Sequence, residues 1–91
     1  MKRNAFDSRE AVAARVQQLI SSEFGLAPEK IQPASKLGDD LGLDSIDLCD
    51  ALVYMEKETG KAFPLEHFRT VSTVDDLVDR TTTILWGGHK N

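Results

Sequence analysis

The stretch Leu41-Gly42-Leu43-Asp44-Ser45-Ile46-Asp47-Leu48 sets a hydroxyl among carboxylates where a Gly- and Asp-rich loop turns into an apolar-periodic helix. Asp44 suits the N-cap, because its carboxylate can accept hydrogen bonds from first-turn N–H groups that have no partner within the helix. Asp47, three residues on, can reach back to the cap in a variant of the Ser/Thr-to-Glu capping box. Ser45 then falls at the first helical position, exposed and at the positive end of the helix dipole. A phosphate ester on that hydroxyl would sit where a helix N-terminus best tolerates negative charge. No catalytic residue is expected. The only histidines, His67 and His89, are far from Ser45 in sequence, and no base or oxyanion arrangement can be named.

Three amphipathic helices must position this stretch. Asp7 with Glu10 gives a start signal, Phe6 can staple onto the first turn, and Val12, Val16, Leu19, Ile20 and Phe24 follow helical spacing. The first helix is therefore expected over roughly residues 7 to 24, stopped by Gly25. Pro28 and Pro33 then forbid a continuous helix. Leu26, Ile31, Leu37, Leu41 and Leu43 should nevertheless pin the connection to the core, with a short helical turn within 37–42. A second helix is expected from about 45 to 59, closed by Gly60. After it, Phe63 and Phe68 are core plugs around a turn or two of helix, and His67 is a surface residue. Ser72 with Asp75 starts a final helix, 73 to about 85, with Val74, Leu77, Val78, Thr81 and Leu85 inward. Trp86 fits either the core edge or the surface. Residues 1 to 6 and the tail His89-Lys90-Asn91 are expected to be loose.

The second helix carries two apolar stripes. Leu48, Ala51, Leu52 and Met55 read as core. Ile46, Cys49 and Val53 form another strip beside Ser45. Burial of this helix on two sides would give the same pattern as an exposed docking strip. Asp39, Asp40, Asp44, Asp47, Asp50, Glu56 and Glu58 surround the strip, with Lys57 the only base among them, which favours basic partner surfaces. No metal site is expected, since the ligand order of a calcium-binding loop is absent.

With 91 residues, the chain is expected to form one domain, 1–91, with its core over about 5–86. Its 41% hydrophobic and 29% charged residues are ordinary for a globular chain. A net charge of −4 and the lack of a basic stripe argue against a nucleic-acid partner. The single Cys49 excludes an internal disulfide and a cysteine-rich zinc site, and fits a reducing, cytoplasmic location. Met1-Lys2-Arg3 is basic but precedes no apolar run, so no secretory signal is expected, and no stretch approaches the length of a membrane span.

Asp-Ser at a helix start is, alone, ordinary capping chemistry. The whole motif Leu41–Leu48, the acidic and apolar helix after it, and the spacing of the other amphipathic stretches resemble the acyl carrier protein family over roughly residues 5 to 86. The family signature is Asp-Ser-Leu, and Asp44-Ser45-Ile46 departs from it only by Leu to Ile. The resemblance implies an all-α fold: a small bundle of three main helices plus one short helix, with a long loop between helices one and two. It implies a carrier, not an enzyme, bearing 4′-phosphopantetheine on Ser45. A phosphopantetheinyl transferase attaches the arm from coenzyme A, and its thiol holds acyl groups as thioesters. Acyl-loading and acyl-using enzymes of fatty-acid, lipid or polyketide-type synthesis are then the partners of an expected monomer. Asp44 and Asp47 are candidates for transferase recognition, and Ile46, Cys49, Asp50, Val53 and Glu56 for partner contacts.

Some residues depart from the family pattern. Thr59 replaces a usually apolar position, and Lys57, Lys61, His67 and Arg69 make the second half less acidic than a housekeeping fatty-acid carrier. These departures imply a specialised member serving one pathway. Peptidyl carriers typically read Gly-Gly-His/Asp-Ser, so Leu43-Asp44-Ser45 fits the acyl type better. A D-alanyl or other aminoacyl carrier stays open, as does a helical interaction module that leaves Ser45 bare.

Overall fold

Residues 8–86 are described by the structure, a computed structural model. Residues 1–7, which include Phe6 and Asp7 of the expected helix start, and the tail after Trp86 lie outside the described residues. Three α-helices, α1 (Arg9–Phe24), α2 (Ser45–Thr59) and α3 (Val74–Trp86), make an all-α bundle, with short 3-10 turns at Pro28–Lys30 and Leu65–Phe68.

The first helix, expected from about residue 7, begins at Arg9. Ser8 is the N-cap, extended at φ −154°, and its Oγ accepts from the Ala11 N–H at 3.1 Å. The hydroxyl is a short, good cap, so the helix begins at Arg9. Val12, Val16, Leu19 and Ile20 are buried as the spacing requires, and Phe24 is half-buried against them. Gly25 ends the helix in the left-handed conformation, its N–H donating to Ser21 O.

The long connection is held down as expected. Ile31, Leu37 and Leu41 are buried, and Leu26 and Leu43 pack partly against the core. The expected helical turn within 37–42 is a set of hydrogen-bonded turns instead. Asp40 and Leu41 both donate to Lys36 O, and Gly42 donates to Gly38 O. The segment 33–37 also pairs with the chain ahead of α3. Leu37 N–H donates to Ser72 O at 2.9 Å, Val74 N–H to Ser35 O at 3.0 Å, and Asp75 N–H to Pro33 O at 2.9 Å. Backbone bonds to α3 thus tether the loop that leads to Ser45.

The same pairing explains why α3 starts one residue later than Ser72-x-x-Asp75 suggests. Thr73 is the cap. Its Oγ1 accepts from the Asp76 N–H at 3.1 Å, and Asp76 Oδ2 accepts from the Thr73 and Ser72 N–H groups. Those two backbone donors hold the Asp76 carboxyl below the usual carboxylate range. Val74, Leu77, Val78 and Thr81 face inward, with Leu85 partly buried. Thr81 offers its hydroxyl to Leu77 O, so its burial leaves no orphan donor. Trp86 is 48% exposed and does not close the core.

Phe63 and Phe68 plug the bundle as expected, their rings 6.0 Å apart and inclined by 16°. Arg9 spans from α1 to Asp75 and Asp79 of α3, and Arg15 pairs with Glu58 of α2. The hydrogen bond from Arg15 pulls the Glu58 carboxyl below its ordinary range.

Candidate functional site

Asp44 is the N-cap of α2, with extended backbone. Its Oδ1 accepts from the Asp47 N–H at 3.0 Å, while Asp47 Oδ2 accepts from the Asp44 N–H at 3.2 Å. The reciprocal capping box expected from the sequence is therefore present. It occupies both carboxylates and leaves the Ser45 hydroxyl exposed on the first helical residue, in the field of the helix dipole. Gly42 sits at φ +71°, a conformation that any Cβ would strain, and it turns the chain from the 37–41 turns into Leu43 and the cap.

Beside Ser45 lies a cleft of about 440 Å³. Its walls are apolar: Leu37 and Leu43 from the loop, Leu48 from α2, and Leu65, Phe68 and Val71 from the segment ahead of α3. The polar members of its lining, Asp44, Ser45 and Arg69, are all exposed and form its rim. This volume falls within the range of small-molecule sites. His67 is exposed on the Leu65–Phe68 turn and does not line the cleft, so it is not placed to activate Ser45.

The second apolar strip of α2 is on the surface. Ile46 is 71% exposed and Val53 48%, with Cys49 half-buried between them. Burial on two sides is thereby ruled out. Ala51, Leu52 and Met55 are buried on the opposite face, and Leu48 is half-buried where the cleft opens. Tyr54 belongs to neither stripe. It is also exposed, with Lys57 Nζ 5.9 Å from its ring centroid.

This division yields a measurable contrast. Leu52→Ala is expected to cost about 2–5 kcal/mol in urea unfolding, the range for a buried leucine. Val53→Ala should stay within about 1 kcal/mol, because much of its side chain is already in water. Equal large losses would contradict the exposed strip.

The acidic residues around the strip do not form one free face. Glu58 is turned to Arg15 on α1. Glu56 is half-buried, and its Oε2 accepts from the Phe63 N–H at 2.8 Å, holding the chain after Gly60. Asp40 Oδ2 accepts from the Lys36 N–H at 2.8 Å. Asp39 and Asp50 remain as exposed charges. Asp50 stands one helical turn from both Ile46 and Val53, which makes it the acidic residue of this group best placed to steer a basic surface.

An exposed serine with the chemistry of an acceptor, an anion-tolerant helix start and an adjacent apolar cleft together fit a covalently attached prosthetic arm. The sequence model of the phosphopantetheine attachment site matches residues 14–81, which bracket Ser45. The acyl carrier protein of Thermotoga maritima is 37% identical over 71 residues, covering 78% of this chain and 88% of that protein. That of Myxococcus xanthus is 33% identical over 72 residues, covering 79% and 91%. Acyl carrier protein 2 of Ralstonia nicotianae is 28% identical over 74 residues, covering 81% and 91%. The chain belongs to the acyl carrier protein family. It is a carrier rather than an enzyme, and its cofactor is 4′-phosphopantetheine, whose thiol supplies the thioester chemistry when bound. Among the described residues, no helix is long and apolar enough to cross a membrane.

Proposed function

We propose that this chain holds acyl intermediates as thioesters on a 4′-phosphopantetheine arm esterified to Ser45 and presents them to the enzymes of a synthetic pathway. The observation that carries this reading is the placement of Ser45. It is exposed on the first residue of a helix whose cap is satisfied by Asp44 and Asp47, so it is free for modification without loss of structure. A phosphopantetheinyl transferase supplies the arm, with Asp44 and Asp47 nearest the reacting hydroxyl. Ile46, Cys49 and Val53 form the apolar contact for partner enzymes, and Asp50 adds negative charge beside it, while Glu56 is turned to the Phe63 N–H. Residues 1–91 act as one monomeric carrier domain in a reducing cytoplasm, where Cys49 stays a free thiol. The basic departures Lys57, Lys61 and Arg69 fit a dedicated pathway.

The test is to load the armed chain with an acyl group and treat it with neutral hydroxylamine. A thioester releases the acyl group and returns the mass of the armed chain. An acyl group that resists hydroxylamine, or that never loads, would contradict the proposal.

Recognition by charge has its own signature. Attraction between opposite charges mainly raises the association rate and is screened by salt, the Debye length falling from about 30 Å at 0.01 M to about 3 Å at 1 M. Arm attachment should therefore slow with ionic strength, chiefly through a higher apparent KM. Asp50→Lys should weaken recognition and flatten that dependence, with stability changed by about 0.5 kcal/mol or less. Salt-independent attachment with a wild-type-like Asp50→Lys would show that the strip around Ile46 does the recognising alone.

A further inference from the structure

The cleft beside Ser45 has a feature that attachment itself does not require. Its walls are apolar, yet its rim carries one cation, Arg69, directly after the Leu65–Phe68 turn. Arg69 is exposed and pairs with no carboxylate among the described residues, whereas Arg9 and Arg15 are both engaged in ion pairs. The chain as a whole carries a net charge of −4, and the other charged member of the cleft lining is Asp44. The helix dipole favours an anion on Ser45 within the first turn, the Asp44 and Asp47 carboxylates oppose it there, and the dipole does not reach an anionic group held farther out along the cleft. A guanidinium across the rim supplies the missing counter-charge, and its planar fork of donors matches phosphate and carboxylate oxygens.

We propose that Arg69 is a positioning residue that binds an anionic oxygen group tethered at Ser45 and so lays the attached arm across the apolar cleft instead of leaving it in solvent. This rests on Ser45 being the attachment site. Two sources of the anion share this chemistry: the phosphodiester of the arm, and a carboxylate at the far end of its cargo. Leu65, exposed on the turn before Arg69, and Leu48, half-buried beside Ser45, then contact the apolar part of what is tethered. Arg69 thereby biases which acyl groups stay sheltered.

The experiment compares wild type, Arg69→Gln and Arg69→Lys. Each is measured bare, armed, and armed with an octanoyl or a succinyl group. Intact mass first establishes that the arm is present. The readouts are the Nε–H resonance of Arg69, the phosphorus resonance of the arm, and the backbone amides of Leu65 and Val71. If the phosphodiester is the ligand, arming alone shifts the Arg69 Nε–H and both amides. Arg69→Gln then loses more than half of the amide shifts, Arg69→Lys retains most of them, and high salt diminishes them. If the cargo carboxylate is the ligand, the same Arg69-dependent pattern appears on loading succinyl and not octanoyl. Armed and loaded chains whose signals are the same in wild type and Arg69→Gln would overturn the role of Arg69 and leave the carrier function standing. A chain that takes no arm would overturn both.

Discussion

Ser45→Ala is expected to accept no phosphopantetheine while folding as stably as wild type. The first half follows from chemistry. The arm is held through a phosphodiester, alanine has no oxygen to form one, and Ser45 is the only serine in the Leu41–Leu48 motif. The second half follows from the division of labour at the start of α2. Asp44 and Asp47 satisfy the cap between them, so the hydroxyl of Ser45 is not needed for it. Alanine is also the better helix former, and exposed substitutions of this kind stay within about 0.5 kcal/mol. Mass spectrometry after incubation with coenzyme A and a transferase reads the first half, and urea unfolding the second. A Ser45→Ala chain that unfolds readily would show that the serine belongs to the cap.

Phe68→Ala is expected to cost about 3–5 kcal/mol, the range for truncating a buried phenylalanine. Phe68 is fully buried, stacks on Phe63 and also lines the cleft beside Ser45. Its loss opens a cavity between the Leu65–Phe68 turn and the bundle, and removes one wall of the site. A small domain holds only about 5–15 kcal/mol in total, so the variant should show a large fall in its urea midpoint. Phe68→Leu refills part of the space and should recover part of the loss. A cost under about 1 kcal/mol for Phe68→Ala would mean that the turn is not packed onto the core as described.

Local signals carried much of this architecture. The Asp44-x-x-Asp47 spacing, the apolar stripe of α2 and the glycines at its edges required only chemistry within a few residues, and all of them appear in the structure. Capping patterns that overlap in sequence leave a helix start open by a residue or two. Asp7-x-x-Glu10 competes with the Ser8 hydroxyl, and Ser72-x-x-Asp75 with Thr73-x-x-Asp76. At α3 the choice is made by distant backbone bonds, from Val74 to Ser35 and from Asp75 to Pro33, which no local pattern encodes. The acidic cluster looked uniform in sequence for the same reason. Only folding brings Glu58 to Arg15 and Glu56 to the Phe63 N–H. The cleft was invisible because its walls, such as Leu37, Leu48 and Phe68, come from separate segments of the chain. Arg69 could be seen only as a departure in charge, not as the cation on the rim.

The most direct test of the central claim is to expose the wild-type chain to coenzyme A and a broad-specificity phosphopantetheinyl transferase, then locate any added mass by fragmentation. The predicted result is one phosphopantetheinyl group per chain, carried by the peptide containing Ser45. No addition, or an arm on any other residue, would contradict the account.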